Sequence, residues 1–381
     1  NGSITATGGM YGALNVFAEE SVYATNGEDG IISASNDEGF AVRLTAGDHA
    51  QLDNFGSIST SGDESTTVRV SSQAIFSSVV NNYGTISATG YYSDAVSLSG
   101  RTISLTNAEG ALIEATYYGE AVVAEASSYA EYSSSITILN DGTITGDINA
   151  YASTDDQTAY VSFTNNGTVT GDVVLGSNVE ESGNGTIYAL NTGSITGDLD
   201  TSEGGSYDTI IVDGGTVGGG IYTGSGEDTV TISGAGVSIT NGIHSAEGNS
   251  FITFAQDDTV TFDVGSEGYA ISGAASIDFE SGTTVFDSLD VEMEEGDITI
   301  GEDATVIATG TGFYASGADE TDIFGTLQVA SGASATFSGD VSFNSGSTFH
   351  TGVTSGVGGV VNGNTISFSS GSTIYADLTV N

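Results

Sequence analysis

Asn140-Asp-Gly-Thr-Ile, Asn165-Asn-Gly-Thr-Val and Asn191-Thr-Gly-Ser-Ile follow one another at steps of 25 and 26 residues. The phrase is already present as Asn1-Gly-Ser-Ile, Asn54-Phe-Gly-Ser-Ile and Asn81-Asn-Tyr-Gly-Thr-Ile, with a looser copy at Asn107-Ala-Glu-Gly-Ala-Leu. A fixed period of this size marks a solenoid, in which each coil buries its apolar face only against its neighbours. Between two copies, Thr85-Ile-Ser-Ala, Asp94-Ala-Val-Ser-Leu and Thr102-Ile-Ser-Leu alternate apolar with small polar residues, the signature of half-buried strands. Three short strands per coil predict an all-β, right-handed parallel β-helix. About fifteen coils at about 4.8 Å would give a rod about 70 Å long. Gly is expected at a positive-φ corner, and stacked Asn side chains are expected to form ladders between coils.

Residues 1–200 read as regular coils of 25–28 residues. From 201 to 381 the solenoid continues in shorter Gly/Asp-rich coils, such as Gly204-Gly-Ser-Tyr-Asp and Gly224-Ser-Gly-Glu-Asp. Looser Phe-rich coils follow around Phe251, Phe254, Phe262, Phe279 and Phe286. Helical periodicity is nearly missing, the closest approach being the Glu-Ala run at 118–129. The chain has no Pro, which would remove a ladder donor from a central strand, and no Cys, which excludes disulfide staples and thiol catalysis. No apolar run is long enough for a membrane-spanning helix, and none reads as a signal peptide. Asn1 starts in phase with the repeat and without Met, as in a processed fragment.

Fifty Asp and Glu face three Arg (Arg43, Arg69 and Arg101) and no Lys, a net charge of −47. This argues against nucleic acid and against an anionic membrane surface, because neither finds a basic footprint. Salt relieves such self-repulsion by shortening the Debye length to about 3–10 Å. Few sites for a trypsin-like protease suit an extracellular setting.

The Asn-x-Gly-Thr-Ile-x-Gly-Asp phrase, the run Gly224-Ser-Gly-Glu-Asp-Thr-Val-Thr-Ile, and the late Ser345-Gly-Ser-Thr-Phe and Ser370-Gly-Ser-Thr-Ile-Tyr-Ala-Asp-Leu resemble the passenger domains of bacterial autotransporters. Surface-layer and haemagglutinin-like repeat proteins are similar in texture. The resemblance covers nearly the whole chain and implies a secreted β-helix serving as an adhesin, an aggregation factor or a surface coat. The chain departs from the family in lacking Lys and a translocator barrel.

Three sets of residues are candidates for chemistry. Asp147, Asp172 and Asp198 recur once per coil after Thr-Gly. Stacked about 5 Å apart they would repel by about 1 kcal/mol per pair in water, and Ca²⁺ would reverse the sign; capping of turns in solvent is the plainer reading. Asp208 and Asp228 faintly resemble the calcium-binding nonapeptide repeats of secreted toxins. Glu292, Glu294, Glu295 and Asp297 read as a solvated loop, with chelation as the alternative. Tyr91-Tyr92 and Tyr117-Tyr118 lie one coil apart, one ring of each pair expected inward and the other outward, where a stripe would bind glycans or a neighbouring copy. His49, beside Asp48, reads as a surface turn. No Gly-x-Ser-x-Gly elbow or His-Glu-x-x-His helix is present, and fifty carboxylates make any one glycosidase-like pair uninformative.

These readings converge on a secreted structural surface protein without required cofactors. A chain that starts on a coil and ends on the strand-like Ala376–Asn381 presents open edges, which favours homo-oligomeric head-to-tail assembly into a filament or lattice. The alternatives are an adhesin for glycans or neighbouring cells, and a polysaccharide-degrading β-helix.

Overall fold

The computed structural model describes residues 2–7, 12–73, 76–129, 132–179, 185–204, 207–246, 250–262, 269–354 and 357–379. The first copy of the phrase at Asn1 and the last two residues therefore lie outside the described residues, while its Gly-Ser-Ile is seen. The fold is all-β: among the described residues there is no helix, and parallel coils stack into a β-solenoid. Two compact units divide the chain, Asn1–Tyr207 and Asp208–Asn381.

In the first unit each coil contributes one strand to each of three stacks. One stack holds Ser3–Ala6, Ile31–Ala34, Ser57–Thr60, Thr85–Ala88, Leu112–Ala115, Thr143–Thr145, Thr168–Thr170 and Ser194–Ile195. Its pairing is parallel and in register, so the Ile of the phrase forms one file: Ile32, Ile58, Ile86, Ile113, Ile144, Val169 and Ile195. All are buried, each contributing about 2 kcal/mol by leaving water. The second stack runs from Leu14–Ala18 to Leu199–Glu203. Its member Val122–Ser128 is a strand in which Val122, Ala124 and Ala126 are buried, so the helix-like Glu-Ala composition yields to period-2 burial. The third stack comprises Ser21–Asn26, His49–Asn54, Ser77–Asn82, Thr102–Asn107, Ser134–Asn140, Ala159–Asn165 and Thr186–Asn191. Every strand of this stack ends on Asn.

The second unit begins with similarly short strands, among them Thr229–Gly234 and Ile243–Ser245. The corners then straighten: Ser250–Thr261, Tyr269–Asp287, Asp290–Thr309 and Gly312–Ile323 run on through register shifts where the first unit turns. Their core is aromatic. Phe254 stacks on Phe279 at 5.0 Å and Phe262 on Phe286 at 5.8 Å, with Phe254 meeting Phe262 edge-on, so both rows of rings interlock. Short strands return from Thr326–Val329 onward. Glu292, Glu295 and Asp297 lie in the strand Asp290–Thr309 with their side chains exposed between the buried Val291, Met293 and Ile298. The segment is a strand face, since alternation with buried apolar residues overrides its loop-like charge.

Apart from Gly110 of the looser copy, which takes the expected positive φ at 78°, the glycines of the phrase serve another purpose. Gly167 has no positive φ, but a Cβ there would sit 2.0 Å from the carbonyl oxygen of Gly142, the equivalent glycine one coil away. Coil spacing brings the corners so close that only hydrogen fits. Positive φ falls instead on the glycine of the Gly-Asp step, Gly146 at 112°.

Candidate functional site

The corner after the third stack holds a continuous amide ladder. Asn26 Nδ2 donates to Asn54 Oδ1 at 2.8 Å, and the pattern continues from Asn54 to Asn82 (2.8 Å), Asn107 (2.9 Å), Asn140 (2.9 Å), Asn165 (2.8 Å) and Asn191 (2.8 Å). Each donor from Asn26 to Asn165 also reaches a carbonyl at the start of the next coil's first-stack strand, as Asn107 does to Thr143 and Asn140 to Thr168. Asn suits this because one amide both donates and accepts, so identical side chains chain together. Asn26 was not recognised in the sequence because Gly-Glu-Asp-Gly follows it in place of x-Gly. Its position at the end of a strand one coil before Asn54 was the available signal. Outside the ladder, the next residue of each phrase builds a second column: Phe55 stacks on Tyr83 at 4.7 Å, and Asn166 joins Asp141 (2.7 Å) and Thr192 (2.8 Å).

The Asp file is a set of backbone caps. Asp172 N–H donates to Asp147 Oδ1 at 2.9 Å, and Asp198 N–H to Asp172 Oδ1 at 2.8 Å, so coil-to-coil bonds supply positive partial charge to these carboxylates. Asp208 and Asp228 sit elsewhere, inside the second unit at 1% and 0% exposure, with Asp208 N–H donating to Asp228 Oδ1 at 3.0 Å. Burial raises the Asp228 carboxyl above its ordinary 3.8, partly offset by Asp208 N–H and by the Thr223 and Ser250 hydroxyls. The structure thus separates the five Asp into an outer file and an inner pair. Among the described residues no three His, Cys, Asp or Glu are grouped so as to hold a metal ion.

Tyr91, Tyr92, Tyr117 and Tyr118 come together at another corner, after the first stack. All four rings face outward, at 52%, 64%, 58% and 81% exposure, which corrects the expectation of one inward ring per pair. The pairs occupy turns, not strands, so consecutive side chains do not alternate between core and solvent. Tyr91 stacks on Tyr117 at 5.0 Å and Tyr92 on Tyr118 at 5.7 Å.

His49 opens a strand and is no surface turn; its Nδ1 lies 2.5 Å from Ser77 Oγ in the next coil, in line with the strand register His49↔Ser77. His244 similarly meets Ser272 Oγ at 2.9 Å, its other nitrogen donating to the Asn241 carbonyl at 2.7 Å. Both contacts join adjacent coils on the outer face. At the first coil a recess of about 520 Å³ is lined by Ile4, Leu14, Asn26, Asp29 and Ile31.

No family model, curated protein or solved structure matches the chain.

Proposed function

We propose that this chain is a structural β-solenoid of the cell exterior that assembles by adding copies coil upon coil. The observation that carries the reading is the uniformity of the coils: the file Ile32, Ile58, Ile86, Ile113 and Ile144 and the amide ladder from Asn54 to Asn191 repeat in one register from coil to coil. One face of such a coil is built to receive the opposite face of the next, so a coil of a second copy suits the same strands, apolar file and amide ladder. Such a contact joins different surfaces of two copies and so propagates into a filament. The absence of Cys and Lys and the 50 carboxylates support an exterior setting, where salt screens the repulsion between copies.

Negative-stain microscopy of the purified protein in high salt tests the proposal. Regular fibres are expected, and monomeric particles at every concentration would overturn it.

A further inference from the structure

The tyrosine corner holds its rings in a backbone conformation that a turn fills more readily with glycine. Tyr92, Tyr117 and Tyr118 have φ of 52°, 57° and 69°, where the Cβ of an L-residue crowds the backbone. One coil on from Tyr117-Tyr118, the same corner is made by Gly146, also at positive φ. The two coils before keep the same conformation at Glu38 (53°) and Glu64 (54°), so turn geometry does not call for tyrosine, and the corner holds this conformation with exposed acidic and aromatic side chains.

The neighbours of the rings share one sign of charge. One coil before Tyr91-Tyr92 the corner carries exposed Asp63 and Glu64, and one coil earlier exposed Asp37 and Glu38. Backbone bonds hold the first pair against the rings: Tyr91 N–H donates to Asp63 Oδ1 at 2.9 Å and Glu64 N–H to the Tyr91 carbonyl at 2.8 Å. Two residues beyond Tyr92 and Tyr118 stand Asp94 and Glu120, linked by Glu120 N–H to Asp94 Oδ1 at 3.1 Å. Both carboxyls are held above their ordinary range, Asp94 by burial, and Glu120 by burial and then by the charges of Asp94, Asp147 and Glu125. The faces of tyrosine rings are themselves negative.

We infer that this corner binds a cationic polypeptide segment, its Arg or Lys side chains lying over the faces of Tyr92 and Tyr118 with their charge met by Asp63, Glu64, Asp94 and Glu120. Cations are favoured over the ring faces and are drawn to the same carboxylates, so both features of the corner select one ligand chemistry. A neutral sugar would use the rings but leave the crowded carboxylates as they are. The site stands apart from the coil edges invoked for assembly, so either idea can fail without the other.

The test is calorimetric titration with an end-blocked peptide alternating Arg and Ser, in about 0.3 M NaCl, where general attraction to the acidic surface is screened within about 5 Å. Tyr92→Ser with Tyr118→Ser should lower affinity at least about tenfold, and the corresponding Phe pair should retain it. Tyr23→Ser with Tyr129→Ser, at equally exposed positions outside the corner, should change it less than about twofold. The inference is overturned if the corner variant binds within twofold of the parent, or if a neutral hexasaccharide binds in the peptide's place and is lost with the same variant. Should the corner variant unfold, the unmodified protein decides. A benzophenone-bearing version of the peptide should crosslink within residues 89–120, and crosslinks scattered over the acidic surface would refute the site.

Discussion

Replacing Asn140 by Ala interrupts the amide ladder at a fully buried position. The wild-type amide donates to Asn165 Oδ1 at 2.8 Å and to the Thr168 carbonyl at 3.2 Å, and accepts from Asn107 Nδ2 at 2.9 Å. Three bonds at about 1 kcal/mol net each amount to about 3 kcal/mol. Asn107 keeps its bond to the Thr143 carbonyl at 3.0 Å, but Asn165 Oδ1 loses its side-chain donor in a site closed to water. An orphaned buried acceptor adds about 1–2 kcal/mol, bringing the loss to about 4–5 kcal/mol. Asn26→Ala removes the bond to Asn54 Oδ1 at 2.8 Å and two longer ones of 3.3 Å to the Gly30 and Ser57 carbonyls, and it too leaves a buried acceptor, so it should cost about 3–4 kcal/mol. The exposed Asn166→Ala, which removes contacts to Asp141 and Thr192, should stay within about 0.5 kcal/mol. Native-state hydrogen exchange is the fitting assay, since stacked repeats open locally. The amides of Asn166 and Thr168, bonded to Asn140 and Gly142, should lose protection, while Phe324 N–H in the second unit should keep it. A loss below about 0.5 kcal/mol for Asn140→Ala, or equal losses for Asn140 and Asn166, would refute the view that the ladder ties the coils together.

Gly167→Ala should destabilise by about 1–3 kcal/mol or more, as its Cβ would meet the Gly142 carbonyl at 2.0 Å; thermal unfolding checks this, and a neutral effect would contradict the close approach. For Asp228, Asp94 and Glu120 the folded chain raises the carboxyl pKa, so folding takes up protons that the unfolded chain has released. The stability gained from this proton uptake is lost as pH rises through the raised folded pKa, so unfolding titrations should show stability increasing as pH falls through that raised value toward the ordinary carboxylate range. Asp228→Asn, which keeps an acceptor for Asp208 N–H, should flatten that slope and raise stability at neutral pH; an unchanged slope would count against it. Raising NaCl from about 0.05 to about 0.5 M should raise the melting temperature by screening a net charge of −47, and a fall would contradict this account of the surface.

Much of the fold was open to reading because a solenoid writes its contacts as a period. Asn140, Asn165 and Asn191 recur at one coil's distance, so the same spacing that marks the repeat also sets the ladder's members above one another. The alternation in Thr85-Ile-Ser-Ala likewise settles which side chains face inward. Reading failed where the backbone leaves the strand. At Tyr91-Tyr92 and Tyr117-Tyr118 no alternation operates, so only the turn conformation shows that all four rings point outward. Gly167 looks like a positive-φ residue from its place in the phrase, but the distance to the neighbouring coil is what excludes a side chain.

The sequence by itself determined the β-solenoid, its three strands per coil and its Asn and Ile files, because these follow from local alternation and a repeat length. Only the tertiary structure decided what each corner does. It turned Asp147 and Asp172 into caps for the next coil, drew Asp208 and Asp228 inside, and set four tyrosines beside acidic neighbours. The physical reason is that a corner's environment is supplied by the coils above and below it, about 25–33 residues away in the chain, and depends on register and backbone angle at each turn.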